Sequence, residues 1–156
     1  VHGIATAAGC QLVAACDLAV AADDSRFATS GINVGLFCST PSVPVSRNLG
    51  RKQAMELLLT GHFIDAHTAL QWGLVNRVVP ASRLDQEVAE LAGSIMSKSW
   101  VAVATGKRMF YKQLELPLES AYDYASGVMA GNMMADDVEE GVDAFMQKRT
   151  PVWKHQ

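Results

Sequence analysis

Residues 1–12 read Val1-His2-Gly3-Ile4-Ala5-Thr6-Ala7-Ala8-Gly9-Cys10-Gln11-Leu12, and the chain continues through Cys16-Asp17-Leu18. Small and apolar residues dominate this stretch, which predicts a tightly packed, almost fully buried helix near residues 8–16. Thr6 could open that helix, and Asp17 lies just past it. Short strands are predicted at 18–22 and 26–28, so this part of the chain is expected to be α/β.

Turn-forming residues divide the next part of the chain into a loop and two short helices. Residues 29–43 are rich in Gly, Ser, Thr and Pro, which predicts a loop or lid. Two helices, each followed by a glycine, are predicted at 51–60 and 66–72. Asp65 is expected to cap the second of them.

The remainder of the chain is predicted to be mainly helical. A strand over 74–79 stops at Pro80. Asp136 or Asp137 is expected to cap the last of four helices. These four helices are predicted at 83–97, 99–114, 117–131 and 136–149. The predicted organisation is an α/β part over residues 1–80 and a helical region over residues 81–156.

The composition is that of an ordinary globular domain. The 156 residues are 49% hydrophobic and 19% charged, with a net charge of −3. Nucleic-acid binders are usually basic, so no nucleic-acid partner is expected. The apolar run over residues 12–22 contains Asp17 and is too short to cross a membrane. Three cysteines without a CxxC pair predict free thiols, no metal site and a reducing compartment. The expected location is the cytoplasm, or the mitochondrial matrix if the protein is eukaryotic.

Three groups of residues match the motifs of one protein family. The first is the opening stretch through Leu18. The second group consists of Leu59-Thr60-Gly61, Gly73-Leu74-Val75-Asn76 and Val78-Val79-Pro80. The third group consists of Glu140-Gly141, Ala144-Phe145 and Lys148-Arg149. On these residues the chain resembles the crotonase (enoyl-CoA hydratase/isomerase) superfamily, and residues 34–41 are most similar to one subgroup of it. The resemblance implies a crotonase-like (ClpP/crotonase) α/β fold of repeated ββα units, the earlier units preceding Val1, and a helical C-terminal region that forms trimers.

The resemblance also implies a ligand and its binding site. Family members bind an acyl-CoA thioester and stabilise its enolate in an oxyanion hole made by two backbone N–H groups. One of these donors falls on Ala8, at a helix N-terminus, where the helix dipole also favours negative charge. Phe145 and Lys148 fall on family positions that contact the CoA nucleotide, and their spacing would place both on one helix face. Apart from the CoA thioester, as substrate or ligand, no cofactor is implied.

Two family residues that carry the hydration chemistry are replaced in this chain. Hydration needs two carboxylates to hold a water molecule and to move its protons. The motifs place the first at Gln11 and the second at Gly31, and neither residue can accept a proton at neutral pH. Cys38, Ser39 and Thr40 are candidates to replace them, but a serine without an adjacent base is a poor nucleophile.

Two functions therefore stay open. One is an enoyl-CoA hydratase/isomerase, a lyase or isomerase of fatty acid metabolism, that uses an atypical mechanism. The other is a non-catalytic acyl-CoA-binding or regulatory relative. The helical region carries more apolar residues, such as Met129, Met134 and Met146, than four helices can bury, which predicts a homo-oligomer, either a trimer or a hexamer.

Overall fold

The chain folds into two compact units. The computed structural model describes residues 1–154, and the units are Val1–Ala89 and Glu90–Gln156. The strands lie in the first unit, and the second unit is helical in its described part. The predicted division between residues 80 and 81 stays a prediction.

Five short strands of the described residues form two small sheets. They are β1 (Ile4–Thr6), β2 (Val20–Ala22), β3 (Arg26–Ala28), β4 (Ile64–Asp65) and β5 (Arg77–Val79). One sheet has the order β1-β3-β4, with β1 parallel to β3 and β3 antiparallel to β4; the other pairs β2 with β5 in parallel. The strands predicted at 18–22, 26–28 and 74–79 are confirmed, the first and last in shortened form. β4 has no counterpart among the predicted strands.

The predicted small-residue helix is α1 (Ala8–Ala15). Leu12, on its outer face, is 66% exposed. The prediction of an almost fully buried helix is therefore wrong for this chain, because only one face of α1 meets the core. Thr6 ends β1 and does not cap the helix, whose N-cap position is Ala7. The buried residues of α1 are Cys10, Val13 and Ala14.

The segment over 29–43, predicted as a loop, is partly helical. A 3-10 turn covers Ser30–Val34, and helix α2 (Ser39–Asn48) begins inside the predicted loop. The loop prediction is therefore wrong from residue 39 onward. Pro41 lies in the first turn of α2, where a missing N–H removes no helical hydrogen bond. Pro44 lies further inside, and packing of α2 against α1 offsets the backbone donor that it lacks.

Helices α3 (Arg51–Thr60) and α4 (Ala66–Trp72) have the boundaries that the sequence predicts. Gly61 and Gly73 follow them in the left-handed conformation, with φ of 62° and 86°, which glycine adopts without a Cβ clash. Asp65 caps α4 as predicted, and its carboxylate accepts a first-turn backbone N–H at 2.7 Å. Local residue chemistry thus determines both ends of α4 and the C-terminal end of α3.

The four helices predicted after residue 83 are confirmed, with small shifts at their ends. They are α5 (Leu84–Met96), α6 (Trp100–Gln113), α7 (Leu118–Asn132) and α8 (Asp136–Met146). The predicted cap of the last helix is wrong, because its N-cap position is Ala135 and both Asp136 and Asp137 lie in its first turn. Asp137 is instead buried, and its carboxylate accepts hydrogen bonds from Ser99 Oγ at 2.5 Å and from the Lys154 N–H at 2.7 Å.

The core of the first unit lies between α1, α2, α3 and the first sheet. Phe27 of β3 is its largest fully buried side chain. Asn48 ties α2 to α1, since its Nδ2 donates to the Ala14 carbonyl at 2.8 Å. Residues of the core cluster include Ala5, Cys10, Val13, Phe27, Val45, Leu49, Ala54, Leu57 and Leu74. This packing holds the N-terminus of α1 beside the ends of β1 and β3.

Candidate functional site

The candidate site is built around the N-terminus of α1. β1 ends at Thr6, and Ala7 then turns the chain with φ 47° and ψ −111°, which a residue with a Cβ rarely adopts. The Ala7 N–H donates to the Ala28 carbonyl at 3.0 Å and holds this turn against β3. Ala8 follows as the first residue of α1, so its N–H has no carbonyl one turn earlier in the helix to bond. The structure thus places the predicted oxyanion donor at a helix end that favours a negatively charged oxygen.

Gln11, at the position of the first family carboxylate, lies in the next turn of α1. Its backbone N–H donates to the Ala7 carbonyl at 2.9 Å, and its side chain is half-buried. Within residues 1–154, its side-chain amide forms no hydrogen bond. A neutral amide can bind a water molecule or a ligand oxygen, but it cannot take up a proton.

Gly31, at the position of the second family carboxylate, lies in the 3-10 turn after β3. The Leu36 N–H donates to the Gly31 carbonyl at 3.0 Å and closes this turn. A Cβ at position 31 would lie 2.7 Å from the Leu36 carbonyl oxygen and 2.9 Å from Cys38 Sγ. The space where a side chain would begin is therefore already filled, partly by backbone, which cannot move without opening the turn.

Two hydrogen bonds anchor the turn around Gly31 to α3. The buried Thr29 Oγ1 donates to the Leu57 carbonyl at 2.8 Å, and Asn33 Nδ2 donates to the Gly61 carbonyl at 3.4 Å. Because α3 is part of the core, these bonds limit how far the turn can adjust to a larger residue at position 31.

A pair of hydroxyl groups lies at the end of β1 and at the start of the turn that contains Gly31. Thr6 Oγ1 and Ser30 Oγ are 2.8 Å apart, and both residues are half-buried. Sequence reasoning missed this pair because the residues are 24 positions apart and only the pairing of β1 with β3 brings them together. The one signal in the sequence is that Ser30 directly precedes Gly31.

Within residues 1–154, none of the three proposed replacements, Cys38, Ser39 and Thr40, forms a hydrogen bond to a basic side chain. Cys10 and Cys38 are buried and free, as the prediction of free thiols requires. Burial, and to a smaller extent the nearby Cys38, raises the pKa of the Cys10 thiol to about 11, so it stays protonated at neutral pH. Ser39 is exposed at the start of α2, and its Oγ donates to the Phe37 carbonyl at 3.3 Å instead of meeting a base. Thr40 is also exposed.

The two predicted CoA contacts lie in the second unit. Phe145 is 81% exposed near the end of α8. Lys148 lies beyond the helix with φ 55°, so the prediction that both residues share one helix face is wrong. The chain ends α8 in a Schellman pattern instead: the Arg149 N–H donates to the Ala144 carbonyl at 3.0 Å and the Lys148 N–H to the Phe145 carbonyl at 3.2 Å.

Neither a metal cluster nor a membrane-spanning helix is found in the described part of the chain. Within residues 1–154, no group of three or more His, Cys, Asp or Glu side chains could hold a metal ion. No helix there is long and apolar enough to cross a membrane.

Comparison with known proteins identifies the family to which this chain belongs. Residues 1–156 match the family described as Enoyl-CoA hydratase/isomerase, and the chain belongs to this family. Among curated proteins it is similar to "Enoyl-CoA hydratase domain-containing protein 3, mitochondrial" of Rattus norvegicus, with 54% identity over 155 residues that cover 99% of this chain and 52% of the rat protein. This is the subgroup that residues 34–41 predict. The chain spans about half the length of the curated relatives it matches.

Solved structures show that the fold is the crotonase fold. An enoyl-CoA hydratase from Mycobacterium smegmatis matches with a TM-score of 0.96 and 59% identity, covering 98% of this chain and 60% of that one. Human enoyl-CoA hydratase domain-containing protein 3 matches with a TM-score of 0.93 and 53% identity, covering 97% of this chain and 60% of that one. The predicted fold class and family are confirmed.

Proposed function

We propose that this chain forms part of an acyl-CoA-binding protein in which the N-terminus of α1 receives the thioester oxygen. Family membership supports the ligand class, and the position of Ala8 supports the site. An N–H at a helix N-terminus stabilises the oxygen of a polarised thioester, and one such donor typically contributes about 3 kcal/mol to an oxyanion. Phe145 and Lys148 would contact the CoA nucleotide, the ring packing on adenine and the ammonium meeting phosphate.

The protein is further proposed not to hydrate enoyl thioesters by the two-carboxylate route. The observation that carries this is the crowding at Gly31, where the Leu36 carbonyl and Cys38 Sγ occupy the space of a side chain. If a glutamate had simply been replaced by a smaller residue, the pocket would still have room for a glutamate side chain. Here the turn leaves no room for any side chain at position 31. Gln11 supplies only a neutral amide at the other position.

The test uses the full-length protein with crotonyl-CoA and butyryl-CoA. We expect butyryl-CoA to bind in isothermal titration calorimetry, and crotonyl-CoA hydration to be negligible, since each missing proton-transfer group is typically worth about 10² to 10⁴ in rate. Gln11→Glu combined with Gly31→Glu should not restore an ordinary rate, because the glutamate at 31 displaces its turn. Turnover on the order of 10² per second in the unaltered protein would refute the proposal.

A second candidate is an enzyme that forms a thioester enolate without those carboxylates. Membership in the enoyl-CoA hydratase/isomerase family favours it. The two candidates differ in whether a proton leaves carbon 2 of the acyl group. NMR of butyryl-CoA with the full-length protein in deuterium oxide distinguishes them: incorporation of deuterium at carbon 2 identifies an enolate-forming enzyme, and binding without exchange identifies a binding protein.

A further inference from the structure

Ala7 holds a backbone conformation that a residue with a side chain seldom adopts. Its φ of 47° and ψ of −111° lie near the first central position of a type II′ turn, at about 60° and −120°, where glycine is preferred. Backbone strain of this kind persists only when the surrounding structure holds it in place. The next residue is Ala8, the proposed oxyanion donor, so any relaxation at Ala7 would move that N–H group.

Backbone hydrogen bonds hold Ala7 on both sides of the turn. Its N–H donates to the Ala28 carbonyl at 3.0 Å, and its carbonyl accepts the Gln11 N–H at 2.9 Å. The φ angle of Ala7 also depends on the orientation of the peptide plane that joins it to Thr6. A contact that fixes Thr6 therefore bears directly on the strained turn.

The side chain of Thr6 makes such a contact. Thr6 Oγ1 and Ser30 Oγ are 2.8 Å apart, and both residues are half-buried. Within residues 1–154, this is the only side-chain hydrogen bond that either hydroxyl forms. Strand pairing brings the two residues together, since Thr6 lies opposite Ala28, two positions before Ser30.

Ser30 is in turn tied to the core by the residue before it. Thr29 is fully buried, and its Oγ1 donates to the Leu57 carbonyl of α3 at 2.8 Å. Leu57 belongs to the core cluster of the first unit. A series of contacts therefore runs from the core through Thr29 and Ser30 to Thr6, and from there to the turn at Ala7.

We infer that Thr6 and Ser30 are positioning residues, whose mutual hydrogen bond keeps the strained turn in the conformation that lets the Ala8 N–H donate to a thioester oxygen. This inference rests on the proposed thioester binding at α1. In this role neither hydroxyl contacts the ligand, because the pair acts through the backbone of Ala7. A glycine at position 7 would adopt the same φ and ψ without strain, so the pair is needed because residue 7 is alanine.

The test follows the enolate of acetoacetyl-CoA bound to the full-length protein. At mildly alkaline pH this probe loses a proton from carbon 2 to the solvent. The resulting enolate absorbs in the near ultraviolet, so the ratio of enolate to neutral ligand reports how well the donors stabilise a negatively charged oxygen. We expect Ser30→Ala to lower this ratio about tenfold, which is part of the loss of about 10² to 10³ that removal of a donor typically causes.

Further variants identify the hydrogen bond as the cause. Thr6→Val should lower the ratio as much as Ser30→Ala, and the double variant should lower it no further, because each change removes the same bond. Ser30→Thr keeps a hydroxyl and should retain the ratio. Adding Ala7→Gly to Ser30→Ala should restore it, since glycine holds the turn without the pair. The ratio is measured on folded, ligand-bound protein, so a change in stability alone does not alter it.

The control and the possible outcomes separate this inference from the proposed site. Ser46→Ala removes an exposed hydroxyl that donates to the Val43 carbonyl within α2, and it should leave the ratio unchanged. If Ser30→Ala does not fold, Thr6→Val with and without Ala7→Gly gives the same comparison. A ratio that loss of either hydroxyl leaves unchanged overturns the inference. A ratio in the unaltered protein no higher than that of free acetoacetyl-CoA overturns the proposed thioester site itself.

Discussion

Ala7 shows how a single residue can carry backbone strain next to a functional site. Its φ of 47° and ψ of −111° place a Cβ where the backbone leaves little room, and a non-glycine residue in such a region is typically destabilised by about 1 to 3 kcal/mol. The strain is held by the hydrogen bond to Ala28 and by the start of α1.

Replacing Ala7 with glycine should therefore stabilise the protein. We expect Ala7→Gly to raise the free energy of unfolding by about 1 kcal/mol, because relief of strain exceeds the added entropy of the unfolded chain. Urea denaturation of the full-length protein measures this. Ala8→Gly is the matched control: Ala8 has helical geometry, so this change should be neutral or destabilising by up to about 1 kcal/mol. A loss of stability in Ala7→Gly would contradict the strain interpretation.

Gly31 should be intolerant of even one added carbon. Gly31→Ala is expected to lower the free energy of unfolding by about 1 to 3 kcal/mol, since its Cβ would overlap the Leu36 carbonyl. Gly127→Ala is the control: Gly127 lies inside α7 with nothing near the added Cβ, so stability should rise by about 0.5 to 1 kcal/mol. Thermal or urea unfolding checks both, and a neutral Gly31→Ala would reopen the question of a side chain at this position.

At the scale of elements, two acidic residues in the N-terminal half of α8, Asp137 and Glu140, bind the chain on either side of the helix. Glu140 binds the Arg149 guanidinium with two contacts, at 2.6 and 2.8 Å, and also accepts the Val152 N–H at 2.7 Å. These hydrogen bonds lower the pKa of Glu140 from 4.5 to about 2, and the bond with Arg149 has the largest effect. Asp137, in the first turn, accepts hydrogen bonds from Ser99 and from the Lys154 backbone N–H.

The Glu140 contacts predict a loss of stability in acid. A carboxylate whose pKa is lowered on folding stabilises the fold above its ordinary pKa, and this contribution disappears as the pH falls from about 4.5 towards about 2. Glu140→Gln should remove that part of the pH dependence. Urea midpoints measured between pH 7 and pH 2.5 test this, with Glu139→Gln, an exposed neighbour, as the control. Parallel pH profiles for Glu140→Gln and the unaltered protein would contradict it.

The buried carboxylate of Asp137 should matter far more than its exposed neighbour. Asp137→Ala leaves Ser99 Oγ and the Lys154 N–H without their acceptor, and we expect a loss of about 3 kcal/mol in the free energy of unfolding. Asp136→Ala removes only an exposed ion pair to Lys154, at 3.5 Å, and should change stability by less than about 1 kcal/mol. Urea denaturation measures both variants. Equal losses in the free energy of unfolding would show that the burial of Asp137 does not account for its contribution to stability.

At the scale of the whole molecule, each unit leaves large apolar side chains uncovered. Ile4 and Leu12 are exposed in the first unit. In the second unit the exposed set includes Tyr122, Met129, Met133, Met134, Phe145 and Met146. Because the chain spans about half the length of its curated relatives, these surfaces are expected to meet either the rest of the full-length protein or a second copy of it.

We therefore predict that the full-length protein is a trimer or a hexamer, as the family resemblance implies. Size-exclusion chromatography with light scattering measures the mass. Replacing two exposed apolar residues together, by Met134→Glu and Phe145→Glu, should shift the measured mass towards that of the monomer. Glu139→Ala, which changes a residue on the same helix as Phe145, should leave the mass unchanged. A stable monomer at micromolar concentration in the unaltered protein would remove the predicted assembly.

Local patterns in the sequence determined those elements whose ends depend on a few neighbouring residues. Gly61, Gly73 and the Asp65 cap set the limits of α3 and α4, and the motif residues identified the family and the positions of Ala8, Gln11 and Gly31. These features depend on backbone propensity and side-chain chemistry within one or two turns, which a sequence displays directly.

Other features depend on the pairing of strands that are distant in the sequence or on packing between elements, and only the tertiary structure decided these. The pairing of β1 with β3 brings Thr6 to Ser30, and the turn after β3 fills the space at Gly31 with the Leu36 carbonyl. The segment over residues 39–43, predicted as a loop because of its prolines, is helical where it packs against α1. Asp137, one of the two predicted caps of α8, is instead buried in the first turn of that helix. Each outcome rests on contacts between residues far apart in the chain, and no local propensity encodes them.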